Sequence, residues 1–227
     1  MKSLQGTFTS VTGTFTVPTP TGSDGSASAW VGIDGDTCGS AILQTGVDFT
    51  VSGGSVSYDC KPYFAVVDHS LIQLLLLAWY EWFPAGAYDF SGISFSAGDT
   101  VTLTVTATST TSGTAVIENV STGATVTQDL TSSSALCQQN AEWIVEDYEE
   151  NGGLVPFANF GTVSPDILNE LSAHENISGT VQFTGASAST TTGAIGPGSA
   201  TLIDIEQNNN ILTSSSVDDS SVTVTYQ

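Results

Sequence analysis

The stretch TVTLTVTATS, Thr100 to Ser109, alternates hydroxyl and apolar side chains without a break. After Thr-Ser-Gly at 111–113 the alternation resumes in TAVIEN, Thr114 to Asn119. Period two with a β-branched bias is the signature of a half-buried strand, and a glycine turn between two such runs makes an antiparallel pair. Working outward, similar runs occupy Gly6–Pro18, Ala27–Ile33, Ala41–Val51, Ser55–Tyr58, Trp79–Phe83, Ala124–Leu130, Ala141–Asp147, Thr180–Ala186, Ala200–Glu206 and Ser220–Tyr226. Turn residues separate several of them, as in Ser-Gly-Gly at 52–54 and Ser-Ala-Gly-Asp at 96–99. The expected fold is all-β, a single-domain sandwich of two antiparallel sheets, with no internal repeat.

The 227 residues are 40% apolar and enough to bury a sizeable core, while only 11% are charged. Those charges are one-sided: 23 Asp and Glu face two Lys, two His and no Arg, a formal charge of −21 at pH 7. A Ser-His-Asp triad, an arginine phosphate clamp and a His-ligated metal are thereby excluded from the body of the chain. An enzyme built from this inventory is a carboxylate enzyme, with no cofactor and no metal expected. The same charge argues against nucleic acid and anionic membrane as partners. With almost no cations to pair, the fold is expected to be more stable in acid than near neutrality.

Leu71–Ala78, the longest apolar run, is far shorter than the ~20 residues of a membrane span. No apolar signal segment follows Met1, yet the sparse charge and the Asn-Val-Ser sequon at Asn119 read as extracellular. We therefore expect a secreted protein with a start upstream, and Asn119 as a glycosylation candidate. Of three cysteines, Cys38 and Cys137 lie in the β body. A Cys38–Cys137 disulfide with Cys60 free is the simplest pairing, and three reduced thiols is the alternative.

Two segments interrupt the β pattern: Cys60–Leu77 (the insertion near 60–77) and Val163–Ser178 (163–178). Both have helix-like composition, and between them they hold both histidines, the spare cysteine and the internal Lys61. They read either as lid-forming loops or as translated introns. Cys-Lys at 60–61 can be encoded with a GTAAG splice donor, and the leucine run through Ala78 with a pyrimidine-rich acceptor. The intron reading is favoured for the first segment, whose leucines would otherwise expose an apolar patch. The second is balanced between the two.

Three strands carry acids or an amide toward one side. Alternation puts Ile42, Gln44, Gly46 and Asp48 on one face, and Glu142, Ile144 and Glu146 on one face of another strand. Glu81 shares its face with Trp79 and Phe83. A carboxyl among large apolar groups is costly to ionise, which raises its pKa and makes it a usable acid or base. Taken alone, these acids could equally face solvent on an outer sheet.

The wording of these segments decides between the two. SAWVGIDGDTC (29–38), AILQTGVDF (41–49), WYEWFP (79–84), YDFSGISFSAGD (88–99), NAEWIVEDYEENG (140–152) and VPFANFG (155–161) closely resemble the glutamic peptidases, or eqolisins, acid-acting endopeptidases secreted by fungi. The resemblance runs from about Thr7 to the C-terminal strand, broken by the two odd segments. It implies a lectin-like jelly-roll (concanavalin A-like) sandwich of two seven-stranded sheets, and protein or peptide substrates taken by a monomer. Carried over, the catalytic Gln falls on Gln44 and the catalytic Glu on Glu146, not Glu142. Trp30 matches an active-site tryptophan, Asp48 would orient Gln44, and Asp34, Glu81 and Glu149 match acids around the site. Trp79 would help shape an apolar cleft, whereas Trp82 and Trp143 belong to core packing. Cys38 and Cys137 match the family's disulfide.

The chain also departs from the family pattern. Over 1–227 the expected domain lacks the family's Asn-Trp-Gly-like first strand, signal and propeptide, and Phe83 stands where a tyrosine is usual. Three other readings compete with an active peptidase: a carbohydrate-binding jelly roll stacking sugars on Trp30 and Trp79, a glycoside hydrolase pairing Glu81 with Glu146, and a mis-spliced, inactive peptidase. The hydrolase would need two carboxyls ~5–9.5 Å apart with no amide between them.

Overall fold

The computed structural model describes residues 8–20, 23–52, 55–57, 78–150, 152–160, 180–198 and 200–227. All of Cys60–Leu77 and all of Val163–Ser178 lie outside these residues, and with them Lys61, His69, His174 and Cys60, as does Lys2.

Among the described residues every element is a strand: β1 Phe8–Thr16, β2 Gly25–Ile33, β3 Ile42–Ser52, β4 Ser55–Ser57, β5 Ala78–Phe83, β6 Tyr88–Asp89, β7 Thr100–Ser109, β8 Ser112–Asn119 and β9 Ala124–Thr131. The second half adds β10 Ala141–Glu146, β11 Glu149–Glu150, β12 Gly153–Leu154, β13 Thr180–Thr190, β14 Gly193–Ile195, β15 Glu206–Gln207, β16 Asn210–Ile211, β17 Thr213–Val217 and β18 Ser221–Tyr226. Two large antiparallel sheets account for most of them, with β11–β12 and β15–β16 as separate two-stranded sheets, so the all-β sandwich expected from alternation is the observed fold. One sheet has eight strands along β17-β18-β13-β1-β7-β8-β9, with β14 on β13. The other has six along β10-β2-β3-β5-β6, with β4 on β3. The two seven-stranded sheets implied by resemblance are thus eight and six among the described residues.

Each sheet buries one face. Ala27, Ala29, Val31 and Ile33 of β2, with Leu43, Val47 and Phe49 of β3, meet Val11, Phe15, Leu103, Val105, Ile117 and Phe183 of the larger sheet. Trp82 and Trp143 also point inward, their indole N–H groups donating to Ser134 O and Thr12 O. On the outer face of the larger sheet, cross-strand hydroxyls pair: Thr12 with Thr104 and Thr14 with Thr102, both at 2.8 Å. Such hydroxyl ladders are why a threonine-rich strand can face water and still contribute to sheet stability.

One strand expectation fails, and one strand forms where none was expected. Residues 200–205 carry no strand, because their main chain is tied by scattered bonds, Ala200 N–H to Pro197 O and Ile205 N–H to the Thr213 hydroxyl, rather than by a ladder. Thr213–Val217 forms β17 despite three consecutive serines, since it pairs along its whole length with β18. The sequon residue is a third correction. Asn119 is fully buried, and its amide donates to Ser94 O at 2.8 Å and to Asp99 Oδ2 at 2.9 Å. With the amide enclosed and engaged, that nitrogen cannot carry a glycan in this fold.

Candidate active site

Register assembles the site. On the outer face of the six-stranded sheet, Glu142 lies opposite Gly32, Gly32 opposite Gln44, and Gln44 opposite Glu81. In the next row on that face Ile144, Trp30, Gly46 and Trp79 are neighbours, and in the row after it Glu146, Ser28 and Asp48. Directly opposed residues of antiparallel strands point the same way, so an amide and four carboxyls share one surface. The two residues expected to form the dyad, Gln44 and Glu146, are separated by the single strand β2.

Two indoles lie on the sheet between them. Trp30 Nε1–H donates to Glu146 Oε2 at 2.8 Å, and Trp79 Nε1–H to Asp48 Oδ1 at 2.8 Å. Glycines make the room. A Cβ on Gly32 would come within 2.9 Å of Trp30 Cζ3. One on Gly46 would come within 2.6 Å of Trp30 Cβ, 2.7 Å of Trp79 Cζ2 and 2.8 Å of Ala29 O. Main-chain oxygen cannot step aside, so Gly46→Ala must shift both rings. We expect that variant to lose about 10²-fold in activity, the scale of a ~1 Å misplacement of catalytic groups, with a melting temperature lowered by several degrees. Peptide turnover and a thermal melt check it.

Gln44 is held by Glu81, not by Asp48. Its Nε2–H donates to Glu81 Oε2 at 2.5 Å, whereas Asp48 accepts from Trp79. The expectation that Asp48 orients Gln44 fails because Asp48 falls in Glu146's row, four residues along β3 from Gln44. Gln44 Oε1 is buried and receives no hydrogen bond among the described residues.

Asp34 and Glu149 stand apart from this face's chemistry. Asp34 is fully buried at a positive φ of 68°, and its carboxylate accepts the backbone N–H groups of Cys137, Gln138, Gln139 and Asn140 at 2.7–3.3 Å. It staples the approach to β10 beside the Cys38–Cys137 disulfide, whose Cα atoms are 6.2 Å apart, and is too enclosed to touch substrate. Glu149 is exposed in the small β11–β12 hairpin, with its partner Leu154.

Burial dominates the electrostatics. It pushes the Asp48 carboxyl up to about 7 against donation from Ser28 and Trp79, with Glu146 and Asp89 raising it further. Burial likewise lifts Glu142 to about 7, opposed by the Asp36 N–H and reinforced by Asp36, Asp34 and Glu146. Glu81 is raised by burial and by Glu146, against the Gln44 hydrogen bond. Glu146 is raised by burial and by Asp147, against donation from Trp30. So many carboxyls on one surface cannot all ionise together. Glu142 is the member that resemblance passed over. Its place was legible, since it sits four residues before Glu146 on the same face.

Among the described residues no group of three or more His, Cys, Asp and Glu is arranged to hold a metal ion. The Gln44 amide bonded to Glu81 lies on the Glu146 side of that carboxyl, which disfavours a paired-carboxylate glycosidase.

Comparison with known proteins shows the family. The peptidase A4 family matches residues 1–64, 73–166 and 176–226, breaking only within the two segments that interrupt the β pattern. Aspergillopepsin-2 of Aspergillus niger is 44% identical over 96% of this chain and 73% of its own length. Scytalidopepsin B of Scytalidium lignicola is 38% identical over the same shares. The crystal structure of aspergilloglutamic peptidase from Aspergillus niger superposes with a TM-score of 0.71 at 46% identity, covering 89% of this chain and 99% of that one. Scytalido-glutamic peptidase with a transition state analog inhibitor gives 0.76 at 36% identity, covering 99% and 95%.

Proposed function

The chain belongs to the peptidase A4 family and is a peptidase, and from that premise we propose that it is a secreted, acid-acting endopeptidase working through Glu146 and Gln44. The observation that carries the reading is the shared outer face, where Trp30 grips Glu146 and Glu81 grips Gln44.

Ionised Glu146 takes a proton from water as the oxygen attacks the peptide carbon, general-base catalysis at a carboxylate. Gln44 Nε2 has two hydrogens; one goes to Glu81 and the other is free to meet the developing oxyanion. Gln44 Oε1, with no donor among the described residues, is matched by the second O–H of the attacking water. Protonated Glu146 then delivers its proton to the leaving amine as the C–N bond breaks. Atoms balance with no covalent intermediate. The domain over 1–227, taken as a single monomeric unit, carries all of these groups, and the disulfide suits an oxidising, extracellular setting.

The ionisation order sets the working pH. Glu146 must lose its proton while Asp48 and Glu142, both near 7, keep theirs. Activity should therefore rise through the titration of Glu146 in the acid range and fall before neutrality as its neighbours ionise. Digestion of a denatured protein across pH, with chelators and serine-directed reagents present, tests this. A bell on the acid side that ignores both reagents is expected, and activity that is lost to either, or peaks above neutrality, contradicts it.

A further inference from the structure

Four of the large apolar side chains exposed among the described residues gather at one place: Leu154 (52% exposed), Ile195 (37%), Leu202 (46%) and Ile203 (67%). They border a cleft of about 580 Å³ whose lining also includes Trp30, Ile144 and Glu146. Gln44 is not part of that lining, so the cleft extends away from the dyad on the Glu146 side, along the edge of β10. Among the described residues β10 has β2 as its single ladder partner.

The apolar wall is fastened to the catalytic strand. Gln207 Nε2–H donates to Asp147 Oδ2 at 2.7 Å, one residue beyond Glu146, and to Val155 O at 3.4 Å. Leu212 N–H reaches Ile205 O at 2.8 Å. The segment that carries Leu202 and Ile203 is thus tied at its C-terminal end to the chain just beyond Glu146. Apolar groups held open beside a reacting carboxylate are a side-chain pocket, not merely loose surface.

We propose that Leu202 and Ile203, facing Ile144, form a specificity pocket for a bulky aliphatic or aromatic side chain of the peptide, flanking the bond that is cut. The inference rests on the peptidase reading for its substrate class, and the occupant follows from chemistry. The pocket is apolar, it is continuous with Glu146, and the acids near it, Glu142, Asp147, Asp204 and Glu206, repel anionic side chains wherever they ionise.

The test separates binding from catalysis. On a Glu146→Gln background, short peptides differing only by leucine or alanine at the central position are titrated by calorimetry at acid pH. The leucine peptide is expected to bind about 10-fold tighter or more, the scale for several methylenes entering an apolar pocket. Adding Leu202→Ser and Ile203→Ser should erase that preference. Both sites are exposed, so a thermal melt should be little changed. In the unaltered enzyme, cleavage-site profiling should show the same bias, weakened in the double serine variant. An unchanged leucine-to-alanine ratio overturns the pocket, as does a self-association that the serine variant abolishes while peptide preference stays flat. Preferential binding with no cleavage by the unaltered enzyme supports the pocket and overturns the catalytic reading instead.

Discussion

Glu146→Gln is expected to slow peptide hydrolysis by about 10³–10⁴-fold at every acid pH, since loss of a positioned general base costs on that order. Glutamine preserves the volume and can still meet Trp30 Nε1–H through its carbonyl oxygen, so the indole need not move. It cannot take a proton from water. Gln44→Ala should cost about 10²–10³-fold through the lost oxyanion donor, and it also strips Glu81 of its hydrogen-bond partner. The two variants should differ in their pH dependence. Residual activity in Gln44→Ala keeps the acid limb that belongs to Glu146, whereas in Glu146→Gln that limb is gone. Initial rates on a fluorogenic peptide, with circular dichroism to verify folding, check both. Near-normal turnover by Glu146→Gln would remove the residue from the mechanism.

The second large effect is on stability. Asp48 and Glu142 titrate near 7 in the folded protein, against ordinary values of 3.8 and 4.5. Below the ordinary values both states hold the proton and the fold keeps its full stability. As pH rises toward 7 the unfolded chain releases protons that the native state retains, so stability falls across that window and levels off above it. Each group accounts for roughly 3–4 kcal/mol by this linkage. For a chain of this size, the melting temperature should drop by about 10 °C or more between pH 4 and pH 7. General repulsion among the remaining acids acts in the same direction. Calorimetry at the two pH values measures the drop, and an Asp48→Asn, Glu142→Gln double variant should flatten much of it. A higher melting temperature at pH 7 than at pH 4 would contradict the account.

Much of this was legible before any coordinates. Alternation in Thr100–Ser109 and Ala141–Glu146 reflects a local steric rule, that successive side chains of an extended chain point to opposite sides, so strand positions and faces follow from neighbours alone. Thr213–Val217 was not legible, because three serines carry no apolar signal and β18 alone holds them in a strand. Nor was the burial of Asn119, since a sequon says nothing about what encloses its amide.

Composition and periodicity, unaided, determined the all-β sandwich, and they raised the expectations of carboxylate chemistry and of greater stability in acid that the experiments above test. They also determined that Gln44 shares a face with Asp48, and Glu146 with Glu142. Which of those faces meet, and which carboxyl holds the Gln44 amide, was decided only by tertiary structure. In the sheet of the site, strand register is set by pairing between residues as much as 118 apart, such as Glu146 with Ser28. A slip of two residues would keep every side chain on its face while exchanging all of its partners.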